Sequence, residues 1–147
     1  MIKFHLPIDD PDPIIESMLR MVDTAEEYQG KDMGLIYIDS DALEILFSEH
    51  LKHIKEVHKK DYVIIRGWVH FMKKGSERKP HLHSSTTGLY YLKIPENSGK
   101  LYFDDTAEFI DPVEGDFHLF GRMLSHGITE HRSEYIRLAI AMELEEH

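Results

Sequence analysis

Tyr62-Val63-Ile64-Ile65-Arg66-Gly67-Trp68-Val69-His70-Phe71-Met72 is where the chain changes its period. Upstream of it, apolar residues recur every three or four positions. Within it and beyond, they recur every second position, which marks a passage from helix to strand. The alternation places Val63, Ile65, Val69 and Phe71 on one side of a strand, and Arg66, Trp68 and His70 on the other.

Working back from this stretch, Ser40 or Asp41 caps a helix that runs to about Lys59, with Leu43, Leu46, Phe47, Leu51, Ile54 and Val57 as its buried face. His50, His53 and His58 ride on that helix among lysines and glutamates. A metal shared by His50 and His53 at i, i+3 is the sharper reading of them, and a solvated face is the favoured one. Gly34 to Ile38 is a short apolar run, read as a strand or an extended connector. An earlier helix starts at Asp12-Pro13, with Asp as N-cap and Pro at the first helical position. Ile14, Ile15, Met18, Leu19, Val22 and Ala25 form its stripe, and Gly30 stops it. Residues 1–12 read as an edge strand and an acidic, proline-bearing turn.

Working forward, strands are expected at about 87–94, 100–104, 115–120 and 134–144, with turns at Pro95–Gly99, Asp111-Pro112 and Gly121. Helices first and strands afterwards predict a mainly β, α+β arrangement, with two N-terminal helices on the outside of a β-sandwich or barrel. The whole chain, 1–147, reads as one domain, with 1–60 as helical support and 61–147 as β core. The last strand is the most specific. Ile136, Leu138, Ile140, Met142 and Leu144 make one large apolar face suited to packing under helices. Arg137, Ala139 and Ala141 make the other. An arginine followed by two alanines fills a core poorly, but suits the wall of a cavity that receives an anion. An outward arginine in a salt bridge is the other reading of the same pattern.

Composition narrows the function. The chain is 41% hydrophobic and 30% charged, an ordinary globular balance. A net charge of −10 argues against general nucleic-acid binding, which needs a lysine and arginine excess. The absence of cysteine removes disulfides, thiolate metal sites and cysteine nucleophiles. No signal-peptide core and no membrane-crossing run is visible, so a cytoplasmic protein with no membrane partner is expected. Oligomeric state is not encoded in any readable feature.

Chemistry concentrates after residue 80. His81-Leu82-His83 places two imidazoles at i and i+2, which point the same way where a strand begins. A third imidazole, His126, lies far downstream, and Arg137 follows it by eleven positions. Neutral imidazole is the commonest metal ligand, and three ligands with open positions suit iron or zinc chemistry.

The order of these motifs carries a resemblance. His81-Leu82-His83, Tyr90-Tyr91-Leu92, the Ser98-Gly99 turn into Phe103, Gly115-Asp116 leading to Phe120, then His126 and Arg137 resemble the non-haem Fe(II)/2-oxoglutarate-dependent dioxygenases. The match is best with their small prolyl-hydroxylase-like and oxygenase branches, from about Arg66 to Met142. The resemblance implies a double-stranded β-helix (jelly roll), Fe(II) and 2-oxoglutarate as cofactors, and hydroxylation of a small-molecule or peptide substrate. It makes His81 the first iron ligand, His126 the distal one, Arg137 the partner of the far carboxylate of 2-oxoglutarate, and Tyr91 a hydrogen-bond donor to the same carboxylate. By alternation Leu89, Tyr91 and Lys93 share a face, so Tyr91 points inward while Tyr90 points away.

One position departs from the family pattern. His83 stands where a ligating Asp or Glu is usual, so the centre is expected to be a three-histidine site, with Asp104 or Asp105 as the alternative source of a carboxylate. A cupin-like reading competes, because Gly75, His81-x-His83 and Gly115-x-x-His118 match parts of the cupin motifs. There His118 would replace His126 and no 2-oxoglutarate would be needed. Residues 84–88, Ser-Ser-Thr-Thr-Gly, lack the cupin glutamate. A non-catalytic β-sandwich that merely binds a ligand is the third reading. The basic loop Lys73–Lys79 beside His81 is read as solvated, with contact to an acidic substrate as the functional alternative.

Overall fold

The computed structural model describes residues 1–147. Ten strands and three α-helices follow the chain: β1 (Ile2–His5), α1 (Asp12–Thr24), β2 (Met33–Ile38), α2 (Ser40–Leu46), α3 (Ser48–His58), β3 (Tyr62–Met72), β4 (Arg78–His81), β5 (Thr86–Lys93), β6 (Leu101–Phe103), β7 (Glu108–Ile110), β8 (Asp116–Phe120), β9 (His126–Ile128) and β10 (Arg137–Glu146). A 3-10 turn, Glu26–Tyr28, follows α1. No helix is long and apolar enough to cross a membrane.

From β3 onward the chain passes back and forth between two antiparallel sheets. The major sheet has the order β1-β8-β5-β10-β3-β2 and the minor sheet β4-β9-β6-β7. Eight strands wound in this way make a jelly roll. β1 and β2 extend the major sheet at its two edges.

The helices cover the outer face of the major sheet. Leu138, Ile140, Met142 and Leu144 of β10 are buried there with Leu43 of α2, Phe47 between the two helices and Ile54 of α3. Gly67 shows how closely α2 approaches β3: a Cβ at that position would lie 2.5 Å from Leu43 Cδ1 and 2.9 Å from the Ala141 carbonyl oxygen. The opposite face of the sheet forms a second cluster with the minor sheet, including Leu89, Tyr91, Leu101, Phe103, Phe120 and Ala139. The reading of β10 as one large face and one small face holds.

Several expectations need correction. Two N-terminal helices become three, because the expected helix to Lys59 is interrupted at Phe47, whose φ of −105° and ψ of 18° leave the helical region. Phe47 N–H still donates to the Leu43 carbonyl at 2.9 Å, so the break is a bend between two nearly continuous pieces. The cap of α2 is Asp39, one residue before those expected, with its carboxylate accepting from Ala42 N–H. Helix α1 starts one residue early, with Pro11 as N-cap, and ends at Thr24; Gly30, at φ +75°, closes the 3-10 segment after it.

In β3, Val63 and Ile65 do not share a face with Val69 and Phe71. Arg66 pairs with Glu143 and Ile64 with Leu144, so Ile65 is an extra residue. This bulge reverses the parity, and Tyr62 and Ile64 enter the outer core instead. A second one-residue slip at Leu92 pairs Lys93 with Leu138 and Tyr91 with Ala139, so alternation from Tyr91 does not extend to Lys93. His50 is buried rather than solvated: its Nε2 donates to the Leu6 carbonyl at 2.6 Å and its ring packs on Phe47, Tyr90 and Phe117. His53 lies against Phe4 at 4.3 Å between ring centroids, and neither it nor His50 belongs to a group of three or more potential metal ligands.

Candidate metal centre and anion pocket

The minor sheet assembles the histidines. β4 runs antiparallel to β9 with His81 opposite His126, and β6 on the other side of β9 sets Phe103 opposite His126. Gly127 permits this close packing: a Cβ there would lie 2.7 Å from the Arg78 carbonyl and 2.6 Å from the Tyr102 hydroxyl. His83 follows β4 by two residues and folds back onto the pair. Ring centroids are 4.4 Å apart for His81 and His126, 4.9 Å for His81 and His83, and 5.2 Å for His83 and His126. One ligand atom from each lies within 4.8 Å of the others.

The ring orientations are fixed from behind. Nδ1 of His81 donates to the Lys79 carbonyl at 3.0 Å, and Nδ1 of His126 to the Leu124 carbonyl at 2.8 Å. In both, Nε2 is left as the free lone pair, the tautomer that metal coordination requires. Phe120 meets His126 edge-on at 4.8 Å. Burial holds the His126 imidazolium down to a pKa of about 4, and lowers those of His81 and His83. All three are therefore neutral donors at pH 7.

Arg137 lies deeper, on the inner face of the major sheet, and is fully buried. Its NH1 points to Met72 Sδ at 3.9 Å, and its guanidinium carbon lies 5.4 Å from the centroid of the Tyr91 ring. Arg137 Nε and NH2 and the Tyr91 hydroxyl have no hydrogen-bond partner. Burial raises the Tyr91 pKa to about 12 even against the opposing Arg137 charge, so the phenol is a donor. Buried donors left unsatisfied cost several kcal/mol (roughly 1–3 each, more for a charged group), and they cluster where a ligand supplies the acceptors. The outward salt-bridged arginine is excluded.

Between the histidines and the mouth lies a cavity of about 140 Å³, roughly ten times the room that one water needs. His81, His83 and His126 line it together with the buried Leu89 and Leu101, with Ala141 and its cross-strand neighbour Trp68, and with the more exposed Leu35, Arg78 and Glu143. His70 also faces it, and burial, reinforced by Arg137, takes its pKa to about 3.

Of the sequence-predicted site residues, His81, His83 and His126 come together, and Tyr91 and Arg137 come together one layer further in. Asp104 and Asp105 are not part of the histidine group; the Asp104 carboxylate instead accepts from the Ser125 hydroxyl at 2.7 Å. His118 does not join it either. Its ring meets Tyr91 at 5.2 Å and both its nitrogens are buried and unpaired, so the cupin ligand set is not assembled. The inference from sequence missed Glu143, and it held Arg78 only as one residue of the basic loop Lys73–Lys79. Glu143 was within reach of it, since the alternation that links Arg137, Ala139 and Ala141 continues to residue 143. Arg78 sits in a four-residue strand too short to reveal a face.

A scan of the sequence against protein-family models finds no match, and a search of curated proteins finds none. Solved structures do match. The viral collagen prolyl hydroxylase of Paramecium bursaria Chlorella virus-1, in complex with 2-oxoglutarate, superposes with a TM-score of 0.72 at 18% identity, over 97% of this chain and 94% of its own. A Pseudomonas putida prolyl-4-hydroxylase gives 0.69 at 15% identity, covering 99% and 92%. HygX from Streptomyces hygroscopicus, with nickel and 2-oxoglutarate bound, gives 0.60 at 15% identity, covering 97% and 81%. At these identities the likeness establishes the fold: this chain has the jelly roll of the 2OG-Fe(II) oxygenases.

Proposed function

We propose that the protein is an Fe(II)- and 2-oxoglutarate-dependent oxygenase that hydroxylates a C–H bond of a small-molecule or peptide substrate. One observation carries the reading. A cluster of three neutral imidazoles and a sealed arginine–tyrosine pair with unsatisfied donors occupy the same barrel, with an apolar cavity beside them. Either alone suits many proteins, whereas the combination suits a metal and a dicarboxylate.

The donor set fits both groups. His81, His83 and His126 would hold the iron, with the Lys79 and Leu124 carbonyls keeping two of the rings in the coordinating tautomer. Arg137 Nε and NH2 and the Tyr91 hydroxyl would receive the far carboxylate of 2-oxoglutarate, which supplies the acceptors they lack. Iron(II) with 2-oxoglutarate supplies the oxidative half of the chemistry, in which dioxygen converts the cosubstrate to succinate and carbon dioxide and the substrate to its alcohol. Leu89, Leu101 and Ala141 would give the cavity an apolar lining. His83 in place of a carboxylate leaves a centre of three neutral ligands, more positive by one charge than the usual set.

The test is anaerobic calorimetric titration of 2-oxoglutarate into the Fe(II)-loaded protein and its Arg137→Ala variant. Binding to wild type and a large loss in the variant, with iron affinity unchanged in both, is expected. No heat with wild type sinks the reading.

A further inference from the structure

Besides the histidines, an arginine and a glutamate line the cavity, Arg78 and Glu143. They are not equivalent. The Glu143 carboxylate is held by its cross-strand neighbour Arg66, whose Nε lies 2.7 Å from Oε2 and whose side chain is about half exposed. Arg78 has no carboxylate partner among the ion pairs of the molecule, and its guanidinium makes no hydrogen bond within the protein. A solvated arginine at a rim would ordinarily mean little. This one lines the same cavity as His70, His81, His83 and His126.

The charges then fail to balance. Glu143 and Arg66 cancel. On the proposed function, the metal with three neutral ligands carries two positive charges, Arg137 one and Arg78 one, against the two negative charges of 2-oxoglutarate. A carboxylate at position 83 would have removed one of the surplus, and His83 does not. Uncompensated charge of one sign in a space of low dielectric is costly, and it draws in a counter-charge. Around Arg78 the mouth is apolar, with Leu35, Trp68 and Ile128.

We propose that the substrate carries a carboxylate on an apolar body, and that Arg78 is its anchor at the cavity mouth. A single guanidinium matches a single carboxylate through two parallel hydrogen bonds. Trp68 and Leu35 cover the body, and the bond to be oxidised is presented on the metal side. This rests on the proposed oxygenase reading for the charge balance, but the recognition by Arg78 stands on its own geometry.

The probes are phenylacetate and phenylacetamide, which share a shape and differ in charge. Their affinities are read by ligand-observed NMR on protein loaded with Zn(II) and 2-oxoglutarate. Wild type should prefer phenylacetate by about tenfold, the scale of one charge-assisted pair. Arg78→Gln should bring the ratio to near one and leave 2-oxoglutarate affinity unchanged. Arg66→Ala, which alters only an exposed partner, should also shrink the ratio by freeing Glu143 to offset Arg78. A ratio of one in wild type, or a preference that survives Arg78→Gln, overturns the proposal. So does a loss of 2-oxoglutarate binding in Arg78→Gln, which would assign this arginine to the cosubstrate. If wild type holds no 2-oxoglutarate, the same pair is titrated into the Zn(II) protein. An Arg78-dependent preference there keeps the anchor while the cosubstrate reading falls, and its absence removes both.

Discussion

Tyr90 and Tyr91 are neighbours on β5 that face opposite sides of the major sheet. Tyr90 lies in the outer core under the helices, and its hydroxyl accepts from Ile8 N–H at 3.0 Å. Tyr91 lies in the inner cluster, and its hydroxyl has no partner. The same contrast runs across the sheet. On the outer face His50 is tied to the Leu6 carbonyl through Nε2, and the Ile64 N–H donates to the Glu44 carboxylate. On the inner face Arg137 and His118 are buried with donors and acceptors left open. The outer face leaves one such buried atom open, His50 Nδ1, whereas Tyr91, His118 and Arg137 leave five on the inner face. On the proposed function the inner face is completed by a bound metal and dicarboxylate, which would separate residues kept for stability from residues kept for binding.

Histidines test this division with the largest effect. His126→Ala should weaken metal binding by about 100-fold or more, read by competition with a chelator, with little change in the urea midpoint of the metal-free protein. His50→Ala should do the reverse, leaving metal affinity alone and lowering stability by about 2 kcal/mol through a lost hydrogen bond and a cavity. His118→Ala should keep metal affinity. If His118 proves essential and His126 dispensable, the ligand set is the cupin one and the division is drawn in the wrong place.

Arginine gives the next largest contrast. Arg137→Met should cost about 2–5 kcal/mol of 2-oxoglutarate binding. It should also raise the denaturation midpoint of the unliganded protein, because it removes a buried charge that has no counter-ion. Leu138→Ala, one residue along on the outer face, should cost about 2–5 kcal/mol of stability and leave binding intact. An Arg137→Met protein that is both less stable and fully able to bind would show the arginine to be structural.

How far the sequence could be read follows from element length. β3, β5 and β10 are eleven, eight and ten residues long, enough for a period to show, and all were expected close to where they lie. β4, β7 and β9 have four, three and three residues, too few to carry a period, and none was expected. The minor sheet was therefore almost invisible, although His81 and His126 meet in it. Those histidines were found by motif order, and Arg137 by the small residues beside it. Ile65 and Leu92 show the other limit. A bulge is set by pairing with a distant strand, so parity read from one strand alone fails beyond it.

Proton linkage on the inner face brings smaller effects. Burial lowers the pKa of His70 to about 3 and that of His118 to about 4, against 6.5 in the unfolded chain. Between those values the unfolded state binds more protons than the folded one, so stability rises with pH across the window and falls as pH drops from about 6.5 toward 4. Each group contributes at most about 3 kcal/mol of that loss. His118→Gln should flatten the fall in urea midpoint of the metal-free protein between pH 7 and pH 4.5. An unchanged slope would mean that His118 is already solvated or protonated in the folded state.

The smallest effect is the sharpest, because it compares one atom on each face. Tyr90→Phe removes the hydroxyl that accepts from Ile8 N–H, leaving that N–H on the segment between β1 and α1 without its partner. It should lower stability by about 1 kcal/mol and leave 2-oxoglutarate binding unchanged. Tyr91→Phe removes a hydroxyl that has no partner in the protein, and so takes away a desolvated group without breaking a bond. Stability of the unliganded protein should hold or rise slightly. The cosubstrate should then bind about fivefold to tenfold more weakly, because the carboxylate loses one donor and keeps Arg137. Chemical denaturation and calorimetry on the two variants give four numbers. If Tyr91→Phe destabilises the unliganded protein as much as Tyr90→Phe does, its hydroxyl has a partner after all, and the inner face is as complete as the outer one.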